Sequence, residues 1–271
     1  MIPFSCRLRD HTRTPILRSE EIRQYAEAVV GDYKPSLLRE PGSVNVPHFL
    51  ESYLGATLDY QYIYYERGSD PIAGATVFND SLIRVFDREG KCIRAIPVTA
   101  GTIIIDNDTA DSRNKGFALF TGLHEGGHFV MHGDVYRRTP NQISLYEPAE
   151  DGEAVVCCRR KALFSYRSPR NLSPEEHREH QANVFAAFVA MPRQTFVPLA
   201  DSLIRNEGFS DHVFPEDGGD WENYAALERI CNKLSEVYGV SPTAAKVHLK
   251  EVGMLMNIHA YEEQKAQTIF M

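Results

Sequence analysis

Leu119-Phe120-Thr121-Gly122-Leu123-His124-Glu125-Gly126-Gly127-His128-Phe129-Val130 is the stretch on which the reading of this chain turns. It contains an H-E-x-x-H. On a helix, residues four apart lie one above the other on the same face. Imidazoles at that spacing can bind one Zn²⁺ through their Nε2 atoms, so His124 and His128 are candidate metal ligands. Glu125, between them, can take a proton from water at the metal, the role of a general base in a zinc protease. Leu119, Phe120, Leu123, Phe129 and Val130 would anchor such a helix in a core. Gly126 and Gly127 are unusual in a helix interior, where each costs about 1 kcal/mol relative to Ala. The bland reading is a loop with both histidines exposed. The functional reading is that a strand or a substrate backbone must approach this helix closely.

A catalytic zinc site takes a third protein ligand. His132 continues the four-residue series, but a straight helix carries it about 12 Å along the axis from His124, so it packs or hydrogen-bonds beneath the site instead. Asp134 would need a chain reversal for which Met131 offers no glycine. His177 and His180 flank the favoured face of a later helix. Glu179 is the best candidate. Asn183 follows one turn later, and Ala186, Ala187 and Ala190 continue its face with small residues that allow close helix packing. A carboxylate on such a face needs a charged partner. The alternative is a solvated Glu beside Glu175 and Glu176. Asn183 is a candidate to orient a ligand from behind.

Around these two segments the pattern changes character. Ser19 to Val30 has helical spacing with Ser19 as a possible cap, and Val46 to Leu54 reads as a short helix. From Thr57 to Asp106, five runs rich in β-branched and aromatic residues alternate with turn signals and read as four or five strands joined by antiparallel hairpins. A helix from Asp111 or Ser112 to about Val130–His132 follows. Pro140 to Asn171 reads as irregular, with one short element around Ala154 to Phe164. Ser173-Pro174-Glu175-Glu176 is a capping box that starts a helix ending at Met191-Pro192. Asn206 to Asp220 reads as a linker, then Trp221 to Tyr238 and Ser241 to Val252 as helices.

The 271 residues carry a net charge of −8, which argues against a general binder of nucleic acid or anionic membrane. No apolar run approaches the length of a membrane span. Met1 to Pro15 lacks the apolar stretch of a secretory signal, so a cytoplasmic location with reduced thiols is expected. Five cysteines cannot all pair, and the adjacent Cys157 and Cys158 read as two free thiols.

The run Glu179-His180-Gln181-Ala182-Asn183-Val184-Phe185-Ala186-Ala187, closing with Ala190-Met191-Pro192, resembles the hallmark helix of the ImmA/IrrE family of metallo-endopeptidases. That family pairs it with a preceding H-E-x-x-H helix, and the position of Glu179 is its third zinc ligand. Leu234 to Pro242, with Ala244, Ala245 and Leu249, is similar to the family's helix-turn-helix-like segment. The resemblance covers roughly residues 100 to 255. It departs in the long Asp134 to Leu172 loop and in lacking a separate N-terminal DNA-binding helix-turn-helix.

The resemblance implies an α+β, zincin-like fold, a small antiparallel or mixed sheet packed on the active-site helices. The catalytic part would span 1–200, and a helical, helix-turn-helix-like region 201–271. It implies a Zn²⁺ endopeptidase acting on a protein, a helix-turn-helix transcriptional repressor, with no direct contact to nucleic acid. The expected machinery is His124, His128 and Glu179 on the metal and Glu125 as base, with Asn183 and His132 behind them. Tyr238 and His248 are candidates to stabilise the oxyanion. One rival is a non-catalytic metal-binding regulator or sensor. Another is a metal-stabilised interaction module, whose site a fourth protein ligand would close.

Overall fold

The computed structural model describes residues 1–137, 155–164, 172–209, 212–216, 221–258 and 261. It is mixed α/β. A four-stranded sheet has β1 (Thr57–Gln61), β5 (Thr102–Asp106), β2 (Ile72–Val77) and β6 (Val155–Arg159) side by side in that order. β1 runs parallel to β5, while β2 is antiparallel to both β5 and β6. β3 (Ser81–Asp87) and β4 (Cys92–Val98) form a separate hairpin.

This corrects one expectation. Of the five strands between Thr57 and Asp106, only β3 and β4 pair as adjacent antiparallel strands; the sheet is mixed because β1 finds a distant parallel partner in β5. Its fourth strand, β6, falls in the short element expected around Ala154 to Phe164. Of the stretch read as irregular, 140–154 and 165–171 lie outside the described residues.

β2 and β5 are buried along their whole length, so both faces of the sheet are covered. On one face Ala75, Val77 and Ile104 pack with Ile83, Val85 and Val98 of the hairpin. On the other, Ile103 and Ile105 join the main core, which also takes residues from every α-helix of eight residues or more. These are α1 (Ser19–Tyr33), α2 (Lys115–Met131), α4 (Pro174–Ala190), α5 (Arg193–Asn206), α6 (Trp221–Tyr238) and α7 (Pro242–Glu251). A short α3 (Gly133–Tyr136) follows α2.

Local chemistry sets most of the boundaries. The Ser173 hydroxyl accepts from Glu176 N at 3.2 Å, and the Glu176 carboxylate accepts from Ser173 N at 2.9 Å. The capping box is therefore formed. α1 begins one residue earlier than Ser19 would cap it: Arg18 is the cap position, and its backbone N–H donates to Glu21 Oε2 at 2.9 Å. The expected Val46 to Leu54 helix winds as a π-helix over His48–Tyr53. α5 was not foreseen, and the expected linker after it holds β7 (Phe214–Glu216), paired in parallel with β8 (Leu255–Asn257). No helix among the described residues is long and apolar enough to cross a membrane.

Candidate metal centre

α2 and α4 build the site by crossing closely, and Gly127 of α2 makes that crossing possible. A Cβ at Gly127 would stand 3.1 Å from Phe185 Cδ1 and 3.2 Å from Ala182 Cα, both on α4. At Gly126 it would meet the side chains of Leu50, Leu54 and Phe49. The close neighbours at these two positions are thus a helix and three apolar side chains, where a strand or a substrate was expected. A strand does approach further along. A Cβ on Gly74 of β2 would lie 3.0 Å from Glu125 Oε1 and from Thr121 Cγ2.

The crossing brings together His124 and His128 from α2 and Glu179 from α4. Both imidazoles are fully buried. Their Nε2 atoms are 3.0 Å apart. Glu179 Oε2 lies 3.4 Å from His124 Nε2, and Oε1 lies 3.2 Å from His128 Nε2. Glu179 is thus a partner of the two rings, and the solvated-turn alternative does not hold.

Two amides decide which ring nitrogens carry hydrogen. Asn183 Nδ2 donates to the Ala162 carbonyl at 2.8 Å, so its Oδ1 faces His124 Nδ1 at 2.9 Å and accepts from it. Gln181 Nε2 donates to the Pro15 carbonyl at 2.6 Å, so its Oε1 accepts from His132 Nε2 at 3.0 Å. His132 Nδ1 is then left as the acceptor for Nδ1–H of His128, 2.9 Å away. With both Nδ1 atoms of the ligand pair protonated, both Nε2 atoms present lone pairs to each other and to Glu179. Such an array needs a positive charge at its centre. Buried Glu179 Oε2 has no hydrogen-bond partner, and neither has Glu125 Oε1. His124, His128 and Glu179 form a group that could hold a metal ion.

The buried groups shift one another's proton affinities in opposite directions. Burial would raise the Glu179 carboxyl, but His128 and His124 beside it hold it well below its ordinary value. Burial would lower His124, yet the Glu179 carboxylate outweighs this and raises it. Burial lowers His128 and lowers His132 strongly. Glu125 is pushed up to about 7, chiefly by burial, against the pull of His124 and Thr76. Thr76 Oγ1 donates to Glu125 Oε2 at 2.6 Å, which leaves Oε1 as the free oxygen. A carboxyl with one oxygen anchored and a pKa near neutrality is suited to moving a proton.

No protein-family model matches this chain, and no curated protein matches it either. The centre therefore rests on its own geometry.

Thr76, Gln181 and Cys158 were not singled out from the sequence. Thr76 and Cys158 reach the site only through strand pairing, which has no local signal. Gln181 sits two residues from Glu179, but its partner His132 is visible only once α2 and α4 cross. Cys158 is fully buried, and its Sγ, a nitrogen of His124 and a carboxylate oxygen of Glu125 lie within 4.8 Å of one another. Its neighbour Cys157 is exposed.

The two residues weighed as oxyanion stabilisers are placed elsewhere. His248 donates from Nε2 to the Met191 carbonyl at 2.9 Å and sits edge-on to the rings of Phe188 and Phe196. Tyr238 is buried in the main core against Phe196. On α7, Lys246 and Lys250 both pair with Glu216, at 2.8 and 2.6 Å.

Proposed function

We propose that this chain is a zinc-dependent endopeptidase with a zincin-like active site, of the ImmA/IrrE type, and that it cleaves a protein substrate, a helix-turn-helix transcriptional repressor. The observation that carries the reading is the convergence of two imidazole lone pairs and one carboxylate beside a second, proton-accepting carboxylate. The substrate class comes from the family resemblance alone.

His124, His128 and Glu179 would hold the ion, while Asn183 and the His132–Gln181 pair keep the two rings in the tautomers that binding requires. A zinc ion there supplies Lewis acidity, lowering the pKa of a water molecule and polarising the scissile carbonyl. Glu125 Oε1 takes the proton from the attacking water and delivers it to the leaving amine nitrogen. Thr76 holds Oε2 throughout, so that the other oxygen faces the reaction. The α6–α7 segment packs as part of this body. On α7 the three side chains able to donate to DNA, Lys246, His248 and Lys250, are each engaged within the protein.

The test is Glu125→Gln in a strain co-expressing helix-turn-helix repressors from the same genome, with metal content measured in parallel. About one zinc per chain in both proteins, with repressor cleavage only by the wild type, is expected. Cleavage by the Gln variant would sink the assignment, and absence of bound metal from the wild type would sink the centre itself.

One observation favours the rival, metal-stabilised reading: the Cys158 thiol lies beside His124 and Glu125, with ligand atoms of the three within 4.8 Å of one another.

A further inference from the structure

β6 is the edge strand of the main sheet, and its side chains alternate. Val156 and Cys158 point inward, while Cys157 and Arg159 face outward. Cys158 is the register partner of Gly74, and directly paired residues share a face of the sheet. Gly74 is the residue whose missing side chain lets β2 approach Glu125. Pairing with β2 therefore delivers the Cys158 thiol to the Glu125 side of the metal cluster. Sγ, His124 and Glu125 offer ligand atoms within 4.8 Å of one another, and His124 also belongs to the cluster with His128 and Glu179. Two buried oxygens there, Glu125 Oε1 and Glu179 Oε2, have no hydrogen-bond partner. The thiol makes a long contact to the Arg159 carbonyl at 3.6 Å and hydrogen-bonds toward the Glu179 carboxylate.

We propose that Cys158 is a fourth ligand to the ion held by His124, His128 and Glu179, so that the resting centre is closed by sulfur from β6. The inference rests on the metal reading above. The metal–sulfur bond forms as the S–H proton leaves to solvent, the ordinary proton release of a thiol on binding a metal. Water or substrate then enters by displacing the sulfur, which takes a proton back from solvent as β6, paired with β2, shifts. The fold thus carries its own plug, a thiol in the place that a catalytic site leaves for solvent. Cys157, one residue away and turned outward, takes no part.

The experiment is X-ray absorption at the zinc edge on the full, zinc-loaded chain under reducing conditions, joined to a Co²⁺ titration of the same protein. The expected result is one sulfur at about 2.3 Å beside nitrogen and oxygen ligands at about 2.0–2.1 Å. The cobalt form should show a near-ultraviolet sulfur-to-metal charge-transfer band. Cys157→Ser should keep the band. Cys158→Ser should lose it while retaining the visible cobalt bands and one ion per chain.

A shell of nitrogen and oxygen alone in the wild type overturns the inference and leaves the protease reading standing, and this measurement does not depend on the variant folding. A band that persists in Cys158→Ser also overturns it. Failure of the wild type to take up either metal overturns both readings. Sulfur in the shell together with undiminished repressor cleavage by Glu125→Gln upholds the ligand and removes the protease.

Discussion

The side-chain oxygen of Asn183 lies 2.9 Å from Nδ1 of His124, and the amide that carries it is held in that orientation by the Ala162 carbonyl. One helix turn from a carboxylate ligand, α4 thus also determines which nitrogen of a histidine on α2 is free to bind. Removing the acceptor should loosen the centre. Asn183→Leu is expected to weaken zinc binding roughly 10- to 100-fold in chelator competition. Asn183→Asp keeps an acceptor at His124 but loses the donor to the Ala162 carbonyl, so it should bind more tightly than the leucine variant and less tightly than wild type. Equal affinities for Leu and wild type would show that the tautomer is set by something else.

Gly126 and Gly127 are adjacent, yet alanine should act oppositely at the two. Each replacement gains about 1 kcal/mol of helix propensity. At Gly127 the new methyl meets Ala182 Cα at 3.2 Å and its carbonyl oxygen at 3.3 Å, backbone that cannot rotate away. Overpacking of this kind costs about 1–3 kcal/mol, so Gly127→Ala should be net destabilising by up to about 2 kcal/mol and should weaken metal binding, because Glu179 rides on α4. At Gly126 the methyl meets Leu50 Cδ2 and Leu54 Cδ1, ends of side chains that can yield, with Phe49 Cε1 at an ordinary 3.7 Å. That variant should be neutral or slightly more stable. Urea denaturation of the two compares them directly.

Gly74→Ala should separate activity from metal binding. Its Cβ would press on Glu125 Oε1, the free oxygen of the proposed base, and on Thr121 Cγ2, and none of its three nearest atoms belongs to His124, His128 or Glu179. Zinc stoichiometry should be unchanged while kcat for repressor cleavage falls by at least tenfold, with stability lowered by about 1–3 kcal/mol. Unchanged turnover in this variant would mean that the position of Oε1 is irrelevant to the reaction.

Acid should weaken the fold through His248. Burial lowers this imidazole from its ordinary 6.5 to about 3. The unfolded chain therefore binds the extra proton first, so stability is fully present above pH 6.5 and declines as pH falls toward 3. Between pH 7 and pH 5 this one group should remove about 2 kcal/mol. His248→Gln can still donate toward Met191 but does not titrate in this range, so its unfolding free energy should fall less steeply over the same interval. Identical pH slopes for the variant and wild type would exclude His248 as the source.

The boundaries of α4 and α6 were legible because their signals are local. Ser173, Pro174 and Glu176 form a capping box within four residues, and Trp221 to Tyr238 is one uninterrupted periodic run. α5 escaped notice because Pro198 interrupts it and Met191-Pro192 reads as a stop. β6 was legible only as a short element around Ala154 to Phe164, because five residues say nothing of a partner in β2, some eighty positions earlier.

By itself the sequence determined the pair of histidines one turn apart and the glutamate between them, since helix periodicity places i and i+4 on one face whatever surrounds them. It also singled out Glu179, by the small residues beside it. The tertiary structure alone decided that Glu179 faces those rings, that two amides expose their lone pairs, and that a thiol from a distant strand stands alongside. Those relations depend on how helices cross and strands pair over long separations in the chain, and no short-range pattern encodes them.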